Sequence, residues 1–430
     1  MAPIAVPTND AIPPAPVDAN DDLAEVKAKI AAGNVGKKSW ASYAVPPDNA
    51  IRRYLKAGGI DLYNGYPAYK QADSVYDNVR DTERVLRDGR EFVDPGTRAD
   101  PEKKALFAAA KEVITLTKHI GTELVGVQLK DLDDKQRDEL ALLIAERGVV
   151  FFRDQDLSPQ KQLELGKYLG DGEVYDFGTL ATVPSLGPGI TLIWEKARSY
   201  QRSYRLPWPE YNGYNGQGWH VDGPTATEQG ESSYTHLHHD SVPSDSGDTT
   251  WASGYAAYDK LSPGFKKFVD GLTGIYRSNT TAKNSKNPDG PRIPKFERAP
   301  LVRTHPVTKW KTLFVADRGL VGIEGFDKTE SEVIIKYLVS VYNQSQEIAV
   351  RFKWTPGASA IWDNRVTNHA AVRDFDWSQA NERHGTNVIS VGSTKPYFDP
   401  KSKSRGEALG IEGWLDPALD TEKWFELYHL

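Results

Sequence analysis

The chain contains no cysteine among its 430 residues. This absence excludes disulfide bonds, thiolate metal sites and a cysteine nucleophile. Any metal site must therefore use histidine and carboxylate side chains, and the sequence offers only nine histidines. The search for metal ligands is thereby reduced to a few positions.

The sequence also lacks a basic block and a long apolar run. Its 53 Lys and Arg residues are interspersed with 59 Asp and Glu residues, and the net charge of −6 argues against binding a phosphate backbone. No segment approaches the roughly 18 consecutive apolar residues of a membrane span, and the N-terminus lacks the features of a signal peptide. We therefore expect a cytoplasmic protein with no nucleic-acid partner and no membrane partner.

Composition and turn residues divide the chain into three regions. Residues 1–20 are rich in Pro and Ala and are predicted to be a disordered tail. Residues 21–113 are polar at first and are predicted to form an extension wrapped on the core. Residues 114–430 are predicted to form the main domain.

Within these regions, helix-start and helix-stop signals predict four clear helices. They cover residues 100–113, 133–148, 158–170 and 328–343. Short β-like runs separated by Gly, Pro, Asn and Asp dominate from residue 170 to about residue 393. This pattern predicts an α+β fold with a β-rich sandwich or barrel flanked by helices.

His220 and Asp222 form the first part of a candidate metal site. If residues 219–222 are a strand, both side chains project to one face, because strand side chains alternate. His369, which ends the strand-like run SAIWDNRVTNH, is a candidate third ligand. Two histidines and one carboxylate form a facial triad that leaves coordination positions open. Taken alone, however, the His-x-Asp pattern is better explained by a solvent-facing histidine beside an aspartate in a turn.

Several segments, in the same order, resemble the taurine/2,4-D dioxygenase (TauD/TfdA) family of Fe(II)/2-oxoglutarate-dependent enzymes. The fungal-type members with long N-terminal arms are the most similar. The segments are WHVDGPTATEQ, HHDSVPSDSGDTTWASGYAAYDKLSP and AIWDNRVTNHAAVRDF. The resemblance extends from about residue 120 to about residue 398. It implies a double-stranded β-helix (jelly-roll) core, which agrees with the strand-rich pattern.

The resemblance also implies roles for individual residues. The iron ligands of the family correspond to His220, Asp222 and His369. Thr249 matches the threonine that hydrogen-bonds a carboxylate of 2-oxoglutarate. Arg383 matches the arginine that binds the far carboxylate, as a guanidinium can do bidentately. Arg373, which also follows His369, is the alternative for that role.

The implied activity is the oxidation of a small organic molecule with O2 and 2-oxoglutarate, releasing succinate and CO2. Hydroxylation is one outcome of this chemistry, and desaturation or ring closure are others. Two alternatives use the same ligands or the same fold: a Zn-dependent, cupin-like hydrolase or isomerase, and an inactive metal-binding protein. The sequence is compatible with a homo-oligomer.

The sequence departs from the sulfonate-oxidising members of the family at the substrate site. Those members have a second arginine four residues after the cosubstrate arginine, where this chain has Asn387. They also have a histidine in the segment that is here DGEVYDF, residues 171–177. An anion pocket without its buried cation is strongly weakened. We therefore expect a substrate other than taurine, with a taurine-type sulfonate as the alternative.

A second departure is the histidine-rich run THLHHD at residues 235–240. On a strand, His236, His238 and Asp240 would share one face. Three interpretations are a second metal site, contacts of His236 or His238 with substrate or cosubstrate, and structural histidines satisfied by their neighbours. His238 and Asn387 are accordingly the candidate substrate residues.

Overall fold

A computed structural model describes residues 92–170, 172–175, 189–194, 218–223, 231–282, 293–315, 319–372, 374, 383–392 and 395–411. The predicted tail, most of the predicted extension and Arg373 lie outside these residues. Of the helices in the described segments, none combines the length and hydropathy that crossing a bilayer requires.

The helices are α1 (Lys104–Ala109), α2 (Asp134–Arg147), α3 (Pro159–Leu169), α4 (Gly254–Asp259), α5 (Pro263–Val269), α6 (Lys328–Asn343) and α7 (Arg405–Leu409). The strands are β1 (Glu112–Thr115), β2 (Thr122–Val125), β3 (Val149–Phe152), β4 (Ile190–Trp194), β5 (Ser232–Ser241), β6 (Thr249–Ser253), β7 (Thr273–Ala282), β8 (Ile293–Pro300), β9 (Val302–Thr304), β10 (Lys311–Leu313), β11 (Leu320–Ile323), β12 (Ala349–Phe352), β13 (Ala358–Asp363), β14 (Thr367–Ala371) and β15 (His384–Val391).

Local sequence signals account for most helix ends. The side chain of Asp133 caps α2 by accepting from the backbone N–H of Gln136, whose side chain bonds back to Asp133. Helices α3 and α6 also lie where the sequence predicts them. The prediction for residues 100–113 was wrong in extent. Lys103 has a left-handed φ of 52°, so α1 begins only at Lys104, and β1 begins at Glu112.

Two sheets face each other and form the aromatic core. Among the described residues, the larger sheet has the order β1-β2-β3-β13-β5-β15-β4, and the smaller has the order β12-β6-β14. Phe151 of β3 stacks on Phe352 of β12 with ring centroids 4.1 Å apart. Trp362 of β13 meets Trp251 of β6 edge-on at 5.5 Å. The predicted mixture of a strand-rich core and flanking helices is confirmed.

The alternation of side chains along β5 defines the two faces of the larger sheet. Leu237 lies opposite Ala360 of β13 and Asn387 of β15, so these three side chains point towards the smaller sheet. His236 and His238 point to the other face, where β3 and β13 pack against α2 and α3. Both faces are buried.

The turn between β13 and β14 is fixed by buried ion pairs. Arg365 donates to Asp363 at 2.6 and 2.8 Å and to Asp94 at 2.8 Å, and these side chains are at most 4% exposed. His305 adds a hydrogen bond to Asp363 of 2.9 Å. Burial alone would raise the pKa of Asp363, but the Arg365 charge and these hydrogen bonds hold it well below its usual range. Asp94 thus ties the segment before α1 to the core.

We predict that Arg365→Met lowers the free energy of unfolding by about 3–5 kcal/mol, because Asp363 and Asp94 remain buried without their cation. Urea unfolding of the full chain measures this loss. The control is Arg298→Met, which breaks an ion pair with Glu324 whose side chains are 64% and 53% exposed. It should cost less than about 1 kcal/mol. Equal losses in the two variants would contradict the prediction.

Candidate metal centre

The three predicted metal ligands converge in the structure. One ligand atom from each of His220, Asp222 and His369 lies within 4.8 Å of the other two. The Asp222 carboxylate is 3.4 Å from Nε2 of His220 and 3.7 Å from Nε2 of His369. Within the described segments, no other set of three histidine or carboxylate side chains meets this criterion. Two imidazoles and one carboxylate are the donor set of a facial triad, which suits Fe(II).

A backbone bridge brings the two histidines together. The amide of each donates to the carbonyl of the other, at 2.8 and 2.9 Å, and the two rings lie 4.2 Å apart. Residues 219–222 are therefore joined to β14 by an isolated bridge and do not form a regular strand. The run that ends at His369 is divided into β13 and β14 by the turn containing Asp363 and Arg365.

Both imidazoles can offer a lone pair to a metal through Nε2. Nδ1 of His220 lies 2.6 Å from the carbonyl oxygen of Gly218 and donates to it, so the lone pair of the neutral ring is on Nε2. Burial, reinforced by the neighbouring His220, lowers the pKa of His369 to about 3. Metal binding requires neutral imidazoles and an ionised carboxylate, so this environment fits a divalent ion.

Thr249 and Arg383 are both buried, and Arg383 contacts the backbone two residues before Thr249. Thr249 of β6 is opposite Ala371, two residues after His369 on β14, so Thr249 and His369 share the inner face. The Thr249 hydroxyl oxygen accepts from the Trp354 indole at 3.0 Å, which leaves the hydroxyl proton for another acceptor. Arg383 is buried, and its Nε is 3.4 Å from the carbonyl oxygen of Gly247, two residues before Thr249.

Asn387 is buried on the inner face of β15, with a relative exposure of 9%. Its side-chain oxygen is inaccessible to solvent, and no donor in the described part of the chain bonds to it. A buried acceptor without a partner costs folding free energy, and native proteins contain few of them. A donor on a bound ligand would satisfy this oxygen.

The structure does not bring His238 to the triad. His238 is on the outer face of β5, where its Nδ1 lies 3.0 Å from the hydroxyl of Ser359. The same hydroxyl is 3.2 Å from Nε2 of His236. The alternation of β5 turns both histidines away from the face that holds Asn387, which removes the basis for a substrate contact by His238. Their burial and shared serine agree with the structural interpretation.

The sequence did not point to Asn364, whose side-chain oxygen accepts a hydrogen bond of 3.2 Å from the backbone N–H of Asp222. Its only signal was its position inside the run WDNR, five residues before His369. A buried asparagine in a turn has many ordinary uses, so the residue type gave no reason to single it out.

Comparison with known proteins agrees with this geometry. The family model described as "Taurine catabolism dioxygenase TauD, TfdA family" matches residues 112–388. The chain belongs to this family. The family predicted from the sequence motifs is therefore confirmed.

Individual proteins similar to this chain align with most of its length. A putative alpha-ketoglutarate-dependent sulfonate dioxygenase of Schizosaccharomyces pombe is 34% identical over 74% of this chain and 78% of that protein. The alpha-ketoglutarate-dependent dioxygenase cnsM of Penicillium expansum is 34% identical over 81% of this chain and 95% of that protein. A taurine dioxygenase from Burkholderia xenovorans, known from its crystal structure, is 31% identical in sequence to this chain. The structural alignment has a TM-score of 0.53 and covers 68% of this chain and 94% of that protein. The predicted enzyme class, a dioxygenase that uses Fe(II) and 2-oxoglutarate, is confirmed.

We predict that His220→Ala, Asp222→Ala and His369→Ala each weaken Mn(II) binding by more than about 100-fold. Loss of a metal ligand should exceed the 10–100-fold cost of losing an outer-sphere partner. Calorimetric titration with Mn(II), an oxygen-stable substitute for Fe(II), measures the affinity. His119→Ala, which removes a histidine outside the cluster, should bind like the parent chain. Undiminished binding in the His369 variant would refute its assignment as a ligand.

Proposed function

We propose that this TauD/TfdA-family enzyme holds Fe(II) on His220, Asp222 and His369 and oxidises a C–H bond of a small polar molecule other than taurine. The observation that carries the proposal is the convergence of two imidazoles and one carboxylate beside β6, which carries Thr249, with Arg383 in contact with the backbone two residues before Thr249. Bound Fe(II) would supply oxidising power by coupling O2 reduction to the decarboxylation of 2-oxoglutarate, with release of succinate and CO2.

Thr249 and Arg383 are the residues we propose for 2-oxoglutarate. The cosubstrate is a dianion, and a buried guanidinium can bind its far carboxylate through two parallel hydrogen bonds. The Thr249 hydroxyl already accepts from Trp354, so it is oriented to donate its proton to a carboxylate oxygen. Burial of Arg383 strengthens this attraction, because little water screens the pair.

The chain's own residues would also shape the reaction space. The rings of Trp251 and Trp362 lie 6.4 and 4.7 Å from the ring of His369 and form an apolar wall beside the triad. Such a wall excludes water from the reacting carbon. The two facing sheets, together with the structural similarity to the Burkholderia enzyme, support a jelly-roll core as part of the same proposal.

Asn387 supports a substrate other than taurine. Its amide offers a neutral donor and a neutral acceptor, whereas a sulfonate is best held by a cation. It lies on β15, four residues after Arg383, which directly precedes that strand, so one segment of the chain can contact both cosubstrate and substrate. The name of the Schizosaccharomyces relative favours a sulfonate as the second candidate substrate class.

Succinate release tests the proposed reaction. The purified chain, supplied with Fe(II), ascorbate, O2 and 2-oxoglutarate, is assayed against separate panels of amino acids, neutral polar metabolites, taurine and alkanesulfonates. The proposal expects the strongest stimulation outside the two sulfonate panels. Stimulation by taurine above all other compounds would overturn the substrate assignment, and no stimulated turnover with any panel would count against the oxygenase.

We predict that Arg383→Met weakens the binding of 2-oxoglutarate by about 2–5 kcal/mol, because a buried charge pair loses its cation. Calorimetry on the Mn(II)-loaded protein measures this affinity without turnover. Arg351→Met is the matched control, since Arg351 pairs with Asp248 and Asp374 and its side chain is 54% exposed. Unchanged affinity in the Arg383 variant would transfer the role to Arg373.

We predict that Asn387→Leu lowers kcat/KM for the best substrate by about 10–100-fold, equivalent to one or two hydrogen bonds. The affinity for 2-oxoglutarate should not change. Because the substitution removes a buried acceptor that has no protein donor, it should not lower the urea midpoint. A large loss of stability with normal kcat/KM would assign Asn387 a structural role.

A further inference from the structure

The side chain of Asn364 contacts one of the two segments that carry the proposed metal ligands. It is 1% exposed, and its oxygen accepts from the backbone N–H of Asp222 at 3.2 Å and from the indole N–H of Trp362 at 3.1 Å. Its amide nitrogen donates to the hydroxyl of Thr235 at 2.7 Å. This amide therefore contacts the segment that carries His220 and Asp222, as well as β13 and β5.

The contact matters because residues 218–223 are not part of a regular strand. His220 is attached through its bridge to His369. Two residues later, the carbonyl of Asp222 accepts from the Ser232 hydroxyl, and its N–H donates to Asn364. The Asn364 bond therefore constrains the backbone from which the Asp222 carboxylate projects.

The same amide oxygen also acts on the His369 side of the centre. The Trp362 ring lies 4.7 Å from the His369 ring, and the bond from its indole to Asn364 limits rotation of that ring. Asn364 thus holds the backbone of Asp222 directly, and it supports His369 through the ring of Trp362.

Asn364 is itself held rigidly. Its backbone N–H donates to the carbonyl of Ser233 at 2.8 Å, and the adjacent N–H of Asp363 donates to the carbonyl of Gly148 at 2.9 Å. The Asp363 carboxylate also accepts from the backbone N–H of Arg365 at 2.9 Å. The turn is therefore anchored on both sides of Asn364, as positioning a ligand requires.

We infer that Asn364 is a positioning residue of the metal centre, which sets the Asp222 carboxylate relative to His369. The inference rests on the proposed function, because it takes the triad as the metal site. It assigns no contact with metal or substrate to Asn364. A purely structural amide would affect folding stability alone, whereas a positioning amide also determines the metal affinity of the folded protein.

The test compares Asn364→Leu with a matched buried amide. Gln162 is 1% exposed and also makes three side-chain hydrogen bonds, to the carbonyls of His236 and Thr386 and with the hydroxyl of Thr386. These bonds lie on the outer face of the larger sheet, away from the triad. Urea unfolding measures stability in Asn364→Leu and Gln162→Met, and Mn(II) calorimetry under folding conditions measures affinity.

Both variants should lose stability, but only Asn364→Leu should lose Mn(II) affinity, by about 10–100-fold. Affinity within about twofold of the parent in Asn364→Leu, or equal losses in both variants, would overturn the inference. If Asn364→Leu does not fold, Thr235→Val replaces it, because it removes the partner that fixes the amide. Unchanged Mn(II) affinity in folded Thr235→Val would then refute the positioning role.

These outcomes are distinguishable from a failure of the proposed function. If the parent chain does not bind Mn(II), or if His220→Ala binds it equally well, the metal centre itself is wrong. If the parent binds Mn(II), His220→Ala does not, and Asn364→Leu binds normally, only the inference about Asn364 fails.

Discussion

The pairing of Arg365 with Asp363 and Asp94 is the interaction on which the rest of the site depends. These charges are buried, so removing Arg365 would leave two carboxylates without their cation. Their geometry fixes the turn between β13 and β14, and β14 carries His369. The backbone bridge between His369 and His220 then holds residues 218–223, which carry the other two proposed ligands, beside β14. A charge cluster outside the triad therefore determines where the proposed metal ligands lie.

The sequence predicted the triad because three separated motifs share one family order, and their convergence supports that register. It could not predict that His220 lies in an isolated bridge, since this depends on pairing with a residue far along the chain. It also could not orient β5. Both faces of that strand are buried, so alternation identified which histidines share a face without identifying which face is the inner one.

Two asparagines illustrate what determines a functional assignment in such a site. Asn364 and Asn387 are both buried and both near the inner aromatic core. Every polar atom of the Asn364 side chain has a protein partner, whereas the Asn387 oxygen has none among the described residues. We therefore assign the satisfied amide of Asn364 to the protein's own structure and propose that the amide of Asn387 binds a ligand. Residue type is the same in both, so the difference follows from three-dimensional neighbours.

The contact between Asp94 and Arg365 also bears on where the folding unit ends. The family model begins at residue 112, yet Asp94 completes the charge cluster in the turn between β13 and β14. At the other end, Tyr397 lies beyond the last matched residue, and its carbonyl accepts a hydrogen bond from the backbone N–H of Thr304. A chain truncated to the matched region would leave Arg365 without Asp94, and the backbone N–H of Thr304 without its acceptor. The region that the family model matches is thus smaller than the packed unit that the described residues form.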